Sequence, residues 1–120
     1  MGRDGRYTLT VRHGSEVERR QLEDLEQAIE ELRRLAEAIR SEGPLERVGS
    51  LRDFEPAEQV HARLEISTGG LLRGRDAGLD VMGDGTLVPY RGGIRRTQLE
   101  LRDGQNPFDA VGEALAGASR

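Results

Sequence analysis

From Tyr7 to Val11 apolar and polar residues alternate, with Tyr7, Leu9 and Val11 on one side and Thr8 and Thr10 on the other. Period two marks a strand with one buried face. Arg12-His13-Gly14 then predicts a three-residue hairpin loop with Gly14 in the left-handed conformation, which sets Leu9 opposite Val17 and Tyr7 opposite Arg19. A two-residue His13-Gly14 loop would set Leu9 and Val11 against Glu18 and Glu16. Matching apolar with apolar favours the first register. The period then changes. Leu25, Ala28, Ile29, Leu32, Leu35, Ala36 and Ile39 recur at helical spacing, behind an Asp24 N-cap and Gln27 at the capping-box position. Glu30 and Arg34 have the favourable i,i+4 order on the polar face, and Gly43-Pro44 is expected to end the helix.

Residues 44–57 predict an irregular connector anchored by Phe54. Val60, Ala62, Leu64 and Ile66 alternate with His61, Arg63 and Glu65, a second half-buried strand. Residues 67–78, rich in glycine and charge, predict a long mobile loop. Asp84-Gly85 and Gly92-Gly93 both suit two-residue type I′ turns. Pairing through them sets Val81 opposite Val88, Met82 opposite Leu87 and Val88 opposite Thr97. Leu79, Val81, Val88, Tyr90, Thr97, Leu99 and Leu101 then form an inner face, with Asp80, Met82, Leu87, Pro89, Arg96, Gln98 and Glu100 outside. Asn106-Pro107 opens a short helix with Val111, Ala114 and Leu115 on its apolar side.

These elements predict one α+β domain over residues 1–120: a two-layer sandwich in which an antiparallel sheet, hairpin plus meander, packs against one long helix, with a short C-terminal helix. Tyr7-Thr8-Leu9-Thr10-Val11-Arg12, Phe54-Glu55-Pro56 leading to Gln59-Val60, and the Asp84-Gly85 hairpin resemble small uncharacterised proteins of GC-rich bacteria. The resemblance spans most of the chain and implies no activity.

Composition narrows the chemistry. There is no cysteine, which removes disulfides, thiolate catalysis and cysteine zinc sites. All 18 basic residues are arginine, so Schiff-base and lysine-base chemistry are excluded as well. The abundance of Arg, Gly, Ala, Glu and Leu fits GC-rich codon usage. The net charge of −4 makes the whole chain no polyanion magnet, although residues 16–46 are acidic and residues 61–102 mildly basic. No apolar run is long enough for a bilayer, and MGRDGRYTLT has no signal-peptide core. A cytoplasmic protein is expected, with no membrane contact.

Arg12-His13-Gly14 after an apolar strand resembles the opening of a histidine phosphatase, in which a loop histidine accepts the phosphoryl group while arginines and a second histidine hold its oxygens. The other histidine, His61, sits inside a predicted strand with no glycine after it, and Ser15-Glu16-Val17-Glu18 continues as a hairpin arm rather than a helix. That reading is set aside, leaving His13 at the tip of a hairpin. The two histidines have no ligand spacing in sequence, so neither metal nor cofactor is expected. Gly69-Gly70-Leu71-Leu72-Arg73-Gly74-Arg75 lacks the Gly-Lys-Ser/Thr ending of a phosphate loop.

Met82, Leu87 and Pro89, predicted on the sheet face away from the helix, form a candidate contact surface with Arg96 and Arg63 beside them. The expected function is therefore a non-enzymatic interaction or assembly module, self-associating as a homo-oligomer or binding another protein. The alternative is nucleic-acid binding by arginines of the sheet and its loops, weakened by the lack of outward aromatic rings on which bases could stack.

Overall fold

The computed structural model describes residues 7–42, 59–68, 75–92 and 96–116. They form β1 (Tyr7–His13), β2 (Glu16–Leu22), α1 (Leu25–Arg40), β3 (Val60–Thr68), β4 (Asp76–Met82), β5 (Leu87–Arg91), β6 (Thr97–Gln98) and α2 (Pro107–Ala116). The strands make one six-stranded sheet in the order β2-β1-β3-β4-β5-β6, every neighbouring pair antiparallel. The α+β sandwich expected from the pattern is the observed fold. The connector and its Phe54 lie outside the described residues.

Helix α1 starts as its sequence dictates, with the Asp24 carboxylate accepting from the Gln27 backbone N–H at 2.8 Å. It ends at Arg40, before Gly43, where Ser41 caps the last turn by donating its backbone N–H to Glu37 and its hydroxyl to the Ala38 carbonyl. On its polar side Glu30 pairs with Arg33 and Glu31 with Arg34, in place of the expected Glu30–Arg34 contact. Helix α2 begins at Pro107, with the Asn106 side chain accepting from the Asp109 N–H at 2.9 Å.

Both helices lie on one face of the sheet, α1 across β1 to β4 and α2 against β4, β5 and α1. The core between the layers is closed by Leu9, Leu32, Leu64, Ile66, Leu79, Val81 and Val111, all fully buried. Each side chain of this size contributes about 1.5–3 kcal/mol by leaving water. The apolar stripe of α1 does what its spacing predicts: Ala28, Leu32, Ala36 and Ile39 are buried, and Leu25, Ile29 and Leu35 pack at the margin.

Both hairpins differ from expectation in register, the first by three residues and the second by one. His13 is the last residue of β1, paired with Glu16, so the loop is Gly14-Ser15, with Gly14 at φ +66°. Leu9 therefore faces Arg20 and Tyr7 faces Leu22. In the second hairpin Val81 pairs with Leu87, because the loop holds Gly83-Asp84-Gly85 rather than Asp84-Gly85 alone. The Gly85 N–H donates to the Met82 carbonyl, the Met82 N–H donates to Thr86, and Gly85 takes the left-handed position at φ +92°. That is the three-residue loop of a turn followed by a bulge. A one-residue slip sends every side chain of the strand to the other face. Leu87 and Pro89 thus turn inward, while Val88 and Tyr90 turn outward.

Two further expectations change. Ser67, Thr68 and Asp76 to Gly78 are strand rather than loop, leaving residues 69–74 outside the described set. Strand β6 pairs Thr97 with Arg91 instead of Val88, and Thr97 is exposed. Leu99 does join the core margin, but Leu101 is 42% exposed.

Candidate functional site

Among the described residues no helix covers the second face of the sheet. Its centre is built on β3, β4 and β5. Arg63 and Asp80 are directly opposite one another, and the guanidinium donates from Nε and Nη2 to the two carboxylate oxygens at 2.7 and 3.2 Å. Such a two-pronged charged contact fixes both side chains. The hydrogen bond that Arg63 donates to Asp80 holds its proton more firmly than in a free guanidinium.

Beside this pair the Tyr90 hydroxyl donates to Glu65 Oε1 at 2.7 Å. Tyr90 is on β5 and Glu65 on β3, so the phenol crosses the intervening strand β4, a span of about 10 Å between strand axes. Gly78 makes that crossing possible, because it lies opposite both Glu65 and Tyr90 and places no side chain between them. A Cβ there would sit 2.1 Å from the Leu64 carbonyl oxygen and 2.7 Å from the Glu65 Cα. Arg63 and Arg96 stand over the Tyr90 ring, with Cζ 5.7 and 5.0 Å from its centroid. The ring is consequently only 2% exposed. Burial, then the bond to Glu65, push the Tyr90 hydroxyl well above the ordinary phenol range.

Around this polar centre lie apolar side chains. Val17 and Val60 are exposed, and Met82 and Val88 half-buried. Of the residues expected on this surface, Met82, Arg63 and Arg96 are there. Leu87 and Pro89 are not: Leu87 packs against the core beside Val81, and Pro89 is buried opposite Leu79. The turn expected to present them rotates them inward.

At one end of the sheet, on the helix side, the structure joins two residues that sequence spacing left apart. His13 continues the inward row of Leu9 and Val11, and is in register with Ala62 of β3. A bulge between Val60 and Ala62 displaces His61 from regular alternation. The two Nε2 atoms are 3.2 Å apart, with the rings edge to face. Glu42, two residues beyond α1, brings Oε1 to 3.4 Å from His13 Nε2 and 3.9 Å from His61 Nε2. The chain's alternation and turns carry no sign of a bulge at His61, so this convergence was not readable from them.

A cleft of about 810 Å³ runs between the start of α1 and α2, lined by Leu25, Ile29, Phe108 and Gly112 with Arg102 and Glu113 at its polar side. Arg102 donates to both Glu113 oxygens, at 3.2 and 2.8 Å, so these two charges of the lining are paired with each other. No known family, curated protein or solved structure matches the chain.

Proposed function

We propose that the chain is a non-enzymatic interaction module that self-associates through the helix-free face of its sheet. The observation that carries this reading is the one-sided layering. Both helices cover the same face, and the other keeps Val17, Val60, Met82 and Val88 near solvent around a network of Arg63, Asp80, Tyr90 and Glu65. Apolar groups left on an otherwise polar sheet face favour contact with another surface. Side chains already held by ion pairs and hydrogen bonds lose little freedom on contact. Two such faces can stack as sheets do, with Arg12, Arg19 and Arg96 at the polar rim.

Nucleic-acid binding is less well supported by the same geometry. Arg63 is committed to Asp80, and the Tyr90 ring, the aromatic group of this face among the described residues, is covered and offers no plane for a base.

Val88, half-buried on this face, is the position to test. Sedimentation velocity over a wide concentration range is expected to show a reversible dimer for the wild-type chain and a monomer for Val88→Glu, with thermal unfolding of the variant lowered by only a few degrees, since the new carboxylate faces Asp80 across the strand pair. A wild-type chain that is monomeric at every concentration overturns the proposal. Retention on single-stranded DNA with steep salt dependence would favour the alternative.

A further inference from the structure

We propose that His13, His61 and Glu42 form a binding site for a divalent transition-metal ion of the zinc class. The three ligand atoms are separated by 3.2, 3.4 and 3.9 Å. The point equidistant from three atoms so placed lies about 2 Å from each, which matches zinc–imidazole and zinc–carboxylate bonds of about 2.0–2.2 Å. The cluster therefore has the spacing of a ligand set with no rearrangement of its atoms.

Hydrogen bonding alone satisfies this arrangement poorly. If His13 Nε2 carries a proton, that proton can go to Glu42 or to His61, not to both. If His61 Nε2 carries one as well, the two N–H groups oppose each other. Protonating both rings suits the carboxylate but places two positive charges in contact. A cation at the centre accepts all three lone pairs at once.

The donor set also selects the ion. Two imidazoles and a carboxylate favour zinc and its neighbours over magnesium or calcium, which prefer oxygen. The imidazole side chains are 29% and 20% exposed and that of Glu42 is 54% exposed, so water can complete the coordination from the Glu42 side. The ligands come from the end of β1, the bulge of β3 and the residues after α1. The ion would tie the helix end to the sheet, on the opposite side from the proposed association face.

The test uses the tag-free full chain, stripped of metal and titrated with zinc chloride at neutral pH by calorimetry and thermal unfolding. The expected result is one zinc per chain, a rise of several degrees in the unfolding midpoint, and no comparable effect of magnesium. His13→Asn and His61→Asn are each expected to weaken binding at least tenfold. Glu42→Gln, which retains a weaker oxygen donor, is expected to weaken it less. Binding is also expected to fall at acidic pH, because protons compete for the imidazoles. Metal-free unfolding of each variant shows whether it still folds, and zinc-dependent shifts of the His13 and His61 ring signals in NMR report the site without mutation. Absence of stoichiometric binding, or binding that survives both histidine substitutions with those ring signals unmoved, overturns the proposal.

Discussion

Leu87 and Val88 are neighbours of similar chemistry with opposite surroundings, and that contrast makes the register testable one residue at a time. Leu87 lies beside Val81 against the core, whereas Val88 looks out opposite Asp80. Leu87→Glu forces a carboxylate toward apolar neighbours and is expected to cost about 2 kcal/mol or more, or to prevent folding. Val88 is half-buried and lies across from the Asp80 carboxylate, so Val88→Glu is expected to cost about 1 kcal/mol or less, well below the cost of Leu87→Glu. Chemical denaturation of both variants checks the pair, and the reverse ranking would restore the two-residue turn. Tyr90 supplies a pH-dependent counterpart. Its hydroxyl ionises far less readily in the folded chain than in the unfolded one, where a phenol titrates near about 10. Its contribution is therefore complete below that pH and is lost as the pH rises above it. Alkaline unfolding should be steeper for the wild type than for Tyr90→Phe. The phenolate absorbance of Tyr90 should appear only together with loss of structure. Appearance of that absorbance in the folded chain would contradict the burial of the ring.

Elements were more legible in the sequence than their mutual register. The seven apolar positions from Leu25 to Ile39 define one face of α1 by repetition, so no single residue decides the result. Leu32, at the middle of that stripe, is fully buried, and Leu32→Ala is expected to cost about 2–5 kcal/mol in denaturant unfolding. A cost below about 0.5 kcal/mol would place the wrong face of the helix on the sheet. Strand register has no such redundancy. It rests on loop length, and Gly83-Asp84-Gly85 contains the dipeptide of a two-residue turn inside a three-residue loop. At Gly14 the error ran the other way: apolar matching of Leu9 with Val17 was preferred, yet β2 is an edge strand whose side chains are largely exposed. Arg20 can oppose Leu9 there because its guanidinium reaches Glu31 of α1 at 2.8 Å. Gly78 falls in a glycine-rich stretch that predicts a loop, although it serves strand β4. The same limits hid both parts of the candidate chemistry: Arg63 and Arg96 were placed correctly by simple alternation, but Tyr90 was assigned to the wrong face and His61 to an unbroken strand.

At the scale of the molecule, the described residues border one sheet edge with charge and leave one sheet face without a helix. Strand β2 presents its outer edge over seven residues with Glu16, Glu18, Arg19 and Arg20 along it, a charged border that discourages edge-to-edge pairing. The proposed self-association therefore runs across the helix-free face rather than along this edge. The position of β1 between β2 and β3 has a second effect, on the time course of folding. The β1–β2 and β4–β5 hairpins each close through short loops, but Val11 meets Leu64 only after the whole helix and connector have been spanned. That closure costs chain entropy before any contact compensates for it, so it is expected to set the barrier. In stopped-flow measurements Leu9→Ala and Leu64→Ala should slow refolding, whereas Val111→Ala in α2 should mainly hasten unfolding. Equal effects on both rates at all three positions would mean that the two halves of the sheet do not assemble in that order. If they do, the speed at which this chain reaches its native state is governed by one seam in the middle of its sheet.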